Sequence, residues 1–331
     1  MSQPRVILAV DAGGSTTRCM LASTDGSVLG FGTGGPGNHI LSGWETTRAS
    51  FRDATTHALR CAGAVATTVD VAVAGSAGVG PNGQGREVIE WLLTDLVPPA
   101  TRVQATGDMV AGFWGALQVP VGVVVTAGTG SVAFGRNPRG NTCQVGGWGH
   151  IMGDEGSAYD IATQALRAMA RAVDGRAAPT DLTPRLIAAI GGRSAVDAAV
   201  RLYTESGSRE EIASLAVHVT AAAERGDAVA VAILRRAGEE LALMAVTALH
   251  MLELQAEPVS VSFAGSVFEA GSWVYEPFAA AVHAAMPAAR IEPPLLSPLG
   301  GAFRLAIAML GTAEEDGVIE RLRGELARHG G

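Results

Sequence analysis

Continuous runs of β-branched and aliphatic residues, each ended by a glycine-rich turn, are the most regular pattern in this chain. Residues 6–10 and 121–125 are two such runs, and the turns over residues 11–17 and 126–131 follow them directly. An apolar run of this length that is bounded by turn residues is typical of a buried strand. A second strand-like stretch follows each turn. The pattern therefore predicts two copies of a strand–turn–strand unit, as a gene duplication would leave.

The first hundred residues alternate between strand and helix patterns. The predicted strands cover residues 6–10, 18–22, 27–32, 69–74 and 102–105. The Asp25-Gly26 dipeptide predicts a tight turn between the second and third of them. A capping box at residues 42–45 predicts a helix that runs to about residue 61, and residues 86–96 predict another. These elements are typical of a mixed α/β domain.

From residue 121 onward the chain repeats this alternation. The predicted strands cover residues 121–125, 132–135, 143–146 and 259–263. Helices are predicted from Asp154 onward and through most of residues 179–254. They include a capping box at Ser208 and Glu211 and an amphipathic run over residues 227–254. We expect these helices to cover the second sheet.

Composition limits the classes of function. The chain has 331 residues, 48% hydrophobic and 17% charged, which is enough apolar material for two cores. A net charge of −8 and the lack of a Lys/Arg-rich run argue against nucleic acid or an anionic membrane as the partner. No leader follows Met1, and no long apolar segment occurs, so we expect a cytoplasmic protein.

Cysteine and histidine spacing points to no metal or disulfide framework. Cys19, Cys61 and Cys143 are far apart and form no Cys-x-x-Cys pair. Paired cysteines are what zinc sites, iron–sulfur clusters and small disulfide scaffolds require. The seven histidines show no ligand spacing either. We therefore expect free thiols.

The glycine-rich turns have the chemistry of phosphate loops. Glycine lets backbone N–H groups approach phosphate oxygens closely, and hydroxyl side chains add donors. A third turn over residues 264–267 follows the strand-like run 259–263. The residues predicted to contact the nucleotide are Asp11, Gly13, Gly14, Ser15, Thr16, Thr17, Gly128, Thr129, Gly130, Ser131, Gly265 and Ser266. Asp11 is also predicted to hold Mg²⁺ through water. Taken singly, each turn is equally compatible with a tight hairpin.

The first glycine-rich turn fits neither of two common nucleotide motifs. The chain has no Gly-x-x-x-x-Gly-Lys-Ser/Thr loop, and Gly13-Gly14 lacks the Gly-x-Gly-x-x-Gly spacing. The sequence thus argues against a Walker-type site and against a dinucleotide-binding fold.

A resemblance to a known family rests on residues 146–159, on the two glycine-rich turns and on Asp108, an acid that follows a predicted strand. The chain resembles the N-acetylglucosamine kinase family. That family belongs to the sugar kinase/Hsp70/actin superfamily, in the group that includes the BadF/BadG-type ATPases. The resemblance extends from Asp11 to the turn at residues 297–302. It implies an α/β fold with two ribonuclease-H-like domains around a cleft that closes on ATP and sugar. The implied domains are residues 1–117 plus 297–331, and residues 118–296.

The resemblance also assigns roles to particular residues. Asp108 matches the catalytic aspartate of the family. The residues that match its sugar contacts are Asn38, His39, Gly147, Trp148, Asp154 and Glu155. Residues 73–78 and 298–303 look like two small-residue helix contacts that connect the lobes. Residues 224–227 are compatible with the adenine side of the cleft or with a polar turn between helices.

Structural alternatives exist for several of these residues. Asp108 is also compatible with the N-cap of a following helix. Asp154 is also compatible with an acid that favours the start of the next helix. Trp148 is compatible with a core aromatic, and Glu155 with a helix-turn charge. His39, like His150, is expected to position hydrogen bonds rather than to transfer protons.

The resemblance implies an ATP- and Mg²⁺-dependent kinase that phosphorylates the 6-hydroxyl of an amino sugar, N-acetylglucosamine before glucosamine or N-acetylmuramic acid. We expect a homodimer. An alternative is an ATPase that activates a partner enzyme, but such activators carry paired cysteines that this chain lacks. A sugar-sensing regulator would need a DNA-binding extension before Val6.

Overall fold

The computed structural model describes residues 5–63, 69–80, 83–99, 101–205, 207–255, 258–312 and 317–328. The chain divides into two compact units, one formed by Met1–Pro120 with Pro294–Gly331 and the other by Val121–Pro293. The chain therefore passes from the first unit to the second and back once.

Ten strands are present in the described residues. They are β1 (Val6–Ala12), β2 (Thr17–Ser23), β3 (Val28–Gly34), β4 (Val71–Ser76), β5 (Arg102–Gly107), β6 (Gly122–Ala127), β7 (Ser131–Arg136), β8 (Thr142–Gly146), β9 (Ser260–Ala264) and β10 (Arg290–Glu292). The first unit has the sheet β3-β2-β1-β4-β5 and the second has β10-β9-β6-β7-β8. In each, the first three strands pair antiparallel and the last two add in parallel. The two sheets thus share one topology.

Thirteen α-helices accompany these strands in the part of the chain that the structure describes. They are α1 (His39–Ser42), α2 (Trp44–Ala62), α3 (Arg86–Leu96), α4 (Asp108–Ala116), α5 (Ala158–Val173), α6 (Leu182–Ile190), α7 (Ala195–Thr204), α8 (Arg209–Ser214), α9 (Ala216–Ala223), α10 (Ala228–Met251), α11 (Ser272–Ala285), α12 (Pro298–Leu310) and α13 (Val318–Arg328). A short 3₁₀ helix covers Ser266–Ala270. The predicted α/β class with two ribonuclease-H-like domains is confirmed.

Each sheet is covered by helices because its strands alternate buried side chains between two faces. In the first unit, Ile7 and Val73 pack with Phe303 of α12, whereas Leu8 packs with Phe51 of α2 on the other face. In the second unit, the buried residues of β6 and β9 form one cluster with those of α5 and α10. The predicted position of the helices against the second sheet is confirmed.

Helix α2 lies directly on the backbone of strand β3. Three alternate residues, Gly30, Gly32 and Gly34, face the helix, and a Cβ on any of them would lie within 2.1 Å of a helix carbonyl oxygen. Those oxygens belong to Ala58, Ala54 and Ser50. A side chain at these strand positions is therefore excluded by the helix backbone.

The capping box predicted at Ser42 is wrong. Ser42 ends the one-turn helix α1, and α2 begins after Gly43, which has φ +78° and supplies no side-chain cap. The side chain of Asn38 caps α1 instead, because its oxygen accepts the N–H groups of Ile40 and Leu41. The capping box at Ser208 and Glu211 is confirmed, since both of its hydrogen bonds form at the start of α8.

Residues 73–78 are not helical, so the small-residue contact predicted there is made by a strand against helix α4. Residues 73–76 belong to β4, whose six residues are all buried, because the apolar pattern runs on to Ser76. The small residue Gly75 faces Ala111 of α4, where a Cβ would lie 2.5 Å from the alanine methyl. Residues 298–303 are helical, as predicted. Gly301 of α12 packs so closely on α4 that a Cβ would lie 1.7 Å from the Ala111 oxygen.

Candidate active site

The two acids singled out in the first half of the chain lie at one edge of the first sheet. Asp11 is the sixth residue of β1, and Asp108 is the first residue of α4, directly after β5. Strands β1, β4 and β5 are parallel, so their carboxyl ends meet at that edge. Gly75 on β4 is paired with Asp11, and a Cβ there would lie 3.6 Å from the Asp108 Cα. Glycine therefore lets α4 begin close to β1.

Burial raises the pKa of both carboxyl groups, and the charge of Asp108 adds to the effect at Asp11. Burial raises the pKa of Asp11 to about 6, with a further contribution from the charge of Asp108, while Arg18 opposes the change. Burial also raises the pKa of Asp108, against the effect of the Met109 N–H, which donates to Asp108 Oδ1 at 2.8 Å. Strongly perturbed acids at the carboxyl edge of a parallel sheet are typical of functional sites.

Asp108 is not a helix cap. The N-cap of α4 is Gly107, and Asp108 occupies the first helical position, so the N-cap alternative is wrong. Its negative charge lies in the first turn of α4, where the helix dipole favours the ionised form.

The first glycine-rich turn is open at its tip and closed at its ends. Gly14, Ser15 and Thr16 are exposed. Thr17 is buried, and its hydroxyl donates to the Gly35 oxygen at 2.9 Å, which ties the turn to the segment after β3. Gly13 N–H donates to the Thr16 oxygen at 3.0 Å. The free hydroxyl donors of this turn are therefore those of Ser15 and Thr16, whereas Thr17 shapes it.

Asn38 and His39 lie in the same unit. Asn38 is buried, and its side-chain oxygen is occupied by the cap of α1. His39 lies against Gly78 and Gly85, where Cβ atoms would come within 2.3 Å and 2.9 Å of its ring. Its Nδ1 is buried and has no hydrogen-bond partner among the described residues. The ring is thus held by glycines rather than by a proton acceptor.

The second glycine-rich turn is joined to the segment before α5. Ser131 Oγ donates to the Glu155 oxygen at 2.7 Å, and Ser131 N–H donates to Asp154 Oδ1 at 3.2 Å. Ala158 N–H donates to the Gly128 oxygen at 2.9 Å. These three hydrogen bonds bring two of the predicted segments together.

Asp154 is the most constrained of the predicted sugar residues. It is 2% exposed and has φ +64°, a backbone conformation that costs free energy for any residue but glycine. Its Oδ2 forms an ion pair with Nη2 of Arg209 at 2.7 Å. Both carboxylate oxygens are therefore already engaged, and its role as a sugar ligand stays a prediction. The sequence reasoning found the capping box around Arg209 but missed the arginine itself.

The loop before Asp154 presents its aromatic side chain to solvent. Gly147 has φ +74°, and its N–H donates to the Ser131 oxygen at 3.0 Å. Trp148 is 71% exposed, so the alternative of a core aromatic is wrong. Glu155 is exposed as well, and His150 packs edge-on against Tyr159. This loop therefore offers an indole ring and a carboxylate for contact with a ligand.

A cavity of about 480 Å³ lies beside the second turn. Thr129 of that turn and Ser266 of the third turn both line it. Gly265 has φ +100°, and a Cβ there would lie 2.2 Å from the Ala127 oxygen, so the third turn approaches the second closely. Glu224 lines the cavity as well, whereas Asp227 caps α10 by accepting the Ala230 N–H at 2.8 Å. The volume suits a nucleoside.

The described residues contain neither a cluster of metal-ligating side chains nor a membrane-spanning helix. No cluster of three or more His, Cys, Asp and Glu side chains in those ranges is placed to hold a metal ion. Within the same ranges, no helix has both the length and the apolarity that a membrane crossing requires.

A family model for the BadF/BadG/BcrA/BcrD ATPases matches residues 8–302. The chain belongs to this family. The match covers both units, from β1 to the first turns of α12. It confirms the family predicted from the glycine-rich turns and residues 146–159.

Two relatives of this chain are named as amino-sugar kinases. An N-acetylmuramic acid/N-acetylglucosamine kinase of Clostridium acetobutylicum is 29% identical over 274 residues, which cover 83% of this chain and 89% of that protein. An N-acetyl-D-glucosamine kinase of Dictyostelium discoideum is 26% identical over 55% of this chain and 59% of its own length. A crystal structure from Chromobacterium violaceum, titled as a proposed N-acetylglucosamine kinase, superposes with a TM-score of 0.71 at 26% identity and covers 92% and 99% of the two chains.

Proposed function

We propose that this family member is an ATP- and Mg²⁺-dependent kinase that phosphorylates the 6-hydroxyl of an amino sugar, with N-acetylglucosamine as the preferred substrate. The observation that carries the proposal is the placement of Asp11 and Asp108 at one carboxyl edge of the first sheet. The names of the relatives support an amino sugar, and one of them adds N-acetylmuramic acid to the candidates. Glucosamine is the third candidate.

In this proposal Asp108 is the general base. Its carboxylate accepts the proton of the sugar hydroxyl while the hydroxyl oxygen bonds to the γ-phosphorus of ATP. The bond from that phosphorus to the bridging oxygen breaks, and ADP leaves with the electron pair. Burial supports this role, because it raises the pKa of Asp108 and a carboxylate with a raised pKa accepts a proton more readily.

The phosphate groups would be held by the two glycine-rich turns. In the first turn, Ser15 and Thr16 have exposed hydroxyls, and Gly14 exposes its backbone. In the second, Gly128 has open space around its Cα, and Thr129 borders the cavity proposed for the nucleoside. Gly265 and Ser266 would contact the nucleoside from the third turn. Backbone amides and hydroxyls suit phosphate without a cluster of basic side chains.

The residues present fit a magnesium ion. Asp11 is a half-buried carboxylate with a neighbouring negative charge from Asp108, and an oxygen ligand of that kind is what Mg²⁺ prefers. Asp11 would hold the ion through water. The ion would supply positive charge to the phosphate oxygens.

The sugar would be contacted by residues from both halves of the sequence. Asn38 and His39 would orient it from the first unit. The exposed Trp148 ring suits the apolar face of a pyranose, and the exposed Glu155 carboxylate suits its hydroxyls. Gly147 and Asp154 would shape this part of the site. The predicted homodimer and the cytoplasmic location remain predictions.

The proposal is tested by measuring ADP release from Mg·ATP by the purified protein. N-acetylglucosamine, N-acetylmuramic acid, glucosamine, glucose and no sugar are compared in parallel. Strong stimulation by one amino sugar is expected, and the position of the new phosphate is then read by NMR of the product. Hydrolysis that is independent of sugar, or no hydrolysis, would contradict the proposal and favour an ATPase that acts on a partner enzyme.

A further inference from the structure

A buried ion pair joins the second glycine-rich turn to helix α8. Asp154 Oδ2 lies 2.7 Å from Nη2 of Arg209, while Asp154 Oδ1 accepts the N–H of Ser131. The side chain of Asp154 is 3% exposed and that of Arg209 is 29% exposed. The partners are 55 residues apart in sequence. One carboxylate thus connects two segments that the chain does not connect locally.

The burial of Asp154 makes its partner necessary. A carboxylate removed from water is costly unless a cation and hydrogen-bond donors compensate it. Asp154 also holds a left-handed backbone conformation, which persists only where the surroundings fix it. Arg209 supplies the compensating charge, and the Ser131 N–H supplies the second donor.

Arg209 also covers the backbone of the turn. A Cβ on Gly130 would lie 2.3 Å from Nη2 of Arg209 and 2.8 Å from Asp154 Oδ1. Only glycine leaves room for the guanidinium at this place. The Nε of Arg209 is buried and has no hydrogen-bond partner among the described residues. This arginine is packed against the turn, unlike an arginine in an exposed helix-surface pair.

Helix α8 continues from Arg209 into the wall of the cavity. Its residues Glu210, Ala213 and Ser214 line the same cavity as Thr129 of the turn. The capping box of Ser208 and Glu211 stabilises the first turn of α8, whereas the contact to the turn is made by Arg209 itself. The ion pair therefore sets the distance between the turn and this wall.

We propose that Arg209 is a positioning residue for nucleotide binding. Through Asp154 it holds Gly130 and Ser131 at a fixed place relative to the cavity wall. The turn can then contact the phosphates while the wall contacts the nucleoside of the same nucleotide. Arg209 acts on the turn and does not itself have to touch the nucleotide. This inference rests on the nucleotide part of the proposed function.

The test compares Mg·ADP affinity by titration calorimetry for wild type, Arg209→Gln, Arg209→Lys, Asp154→Asn and the double variant Asp154→Asn/Arg209→Gln. We expect Arg209→Gln to weaken binding by at least about tenfold, because small displacements of a binding group are costly. Lysine keeps the charge, so Arg209→Lys should recover most of the affinity. The double variant should lose no more than Arg209→Gln alone, since both side chains act through one contact.

Two controls separate positioning from the mere stability of α8. Ser208→Ala removes the capping box but keeps Arg209, and Arg235→Gln removes an exposed arginine that pairs with Glu239 along α10. Both should stay within about twofold of wild type, as is usual for sites that do not share the contact. In Arg209→Gln the buried Asp154 carboxylate loses its cation, which could prevent folding. The double variant replaces that carboxylate by an amide, so its affinity can be measured even if Arg209→Gln alone does not fold.

The inference is overturned if Arg209→Gln binds Mg·ADP as wild type does, if Ser208→Ala loses as much affinity, or if the losses of the two single variants multiply. A wild-type protein that binds no Mg·ADP overturns it together with the nucleotide part of the proposed function. A wild-type protein that binds Mg·ADP but phosphorylates no sugar overturns the proposed kinase reaction alone. In that case the affinities still decide the role of Arg209.

Discussion

The negative charge of Asp108 adds to burial in raising the pKa of Asp11, although Asp11 lies in β1 and Asp108 begins α4, far apart in the sequence. Only one residue of β4, Gly75, is paired with Asp11 on that side, and it has no side chain to separate the acids. The two acids therefore share one site at the carboxyl edge of the first sheet.

Replacing Asp108 by Asn should separate binding from turnover. The amide cannot accept the hydroxyl proton, so we expect kcat to fall by at least about 10²-fold. Mg·ADP affinity, measured by calorimetry, should stay nearly intact because the turns are unchanged. The matched control is Asp95→Asn, which removes an exposed acid of α3 that pairs with Arg48. Near-normal turnover of Asp108→Asn would remove Asp108 from the role of base.

The pH dependence of sugar phosphorylation should show an acidic limb that comes from Asp108. Its pKa is raised by burial, so the base is lost by protonation at a higher pH than an ordinary carboxyl group would need. Activity should therefore rise with pH through that limb. The measurement is kcat/KM for the sugar between pH 4 and about 9 at saturating Mg·ATP. A limb at the ordinary position of a free aspartate would contradict the assignment.

Replacing Asp11 by Asn should stabilise the protein in metal-free buffer. The pKa of Asp11 is about 6 in the folded protein against an ordinary value of 3.8. Its ionised form is therefore disfavoured by folding, and this penalty is present above the folded pKa and disappears as pH falls below the ordinary one. The full difference corresponds to at most about 3 kcal/mol of unfolding free energy.

Urea denaturation with EDTA checks this prediction. The gain of Asp11→Asn over wild type should be largest above pH 7 and should close between pH 6 and about 4. The same variant should lose sugar phosphorylation, because the proposed Mg²⁺ ligand is gone. A variant that is less stable than wild type at pH 8 would contradict the prediction.

Two helical glycines offer a matched pair of substitutions with opposite signs. Gly301→Ala places a methyl group 1.7 Å from the Ala111 oxygen, so α12 must move away from α4. We expect a loss of about 2 kcal/mol or more of unfolding free energy from this overpacking. Gly324→Ala in α13 meets nothing within 4 Å, and alanine favours helix there by up to about 1 kcal/mol. Thermal denaturation of both variants measures these two effects. Equal melting temperatures for the two variants would contradict the prediction.

Strand positions were well predicted from sequence because β-branched runs and glycine turns mark both ends of a strand. The helix over Arg86–Leu96 agrees with the prediction to the residue, and the capping box of α8 forms as its spacing indicates. The start of α2 was not predicted, because Asn38 caps a one-turn helix whose last residue is Ser42, so Ser42 is not the N-cap of α2. Local rules apply only where no neighbouring element competes for the same residue.

The candidate site was predictable only where its residues follow a strand. Asp11 lies near the end of β1, Asp108 directly follows β5, and the three turns follow β1, β6 and β9, which the sequence pattern indicates directly. The Asp154–Arg209 ion pair was missed, because its partners meet only through the packing of α8 on the second unit's core. No spacing rule connects residues so far apart.

The alternate glycines of β3 fix how that strand lies under α2. Two strand residues advance about 6.7 Å and four helix residues about 6 Å, so the three close approaches nearly match in step. A slip by one residue would bring Phe31 and Thr33 against the helix carbonyls, where no side chain fits. Helix α2 can therefore pack on β3 only in the register that places the three glycines, which have no side chains, against it. Within β3 even a single added residue would therefore displace the helix.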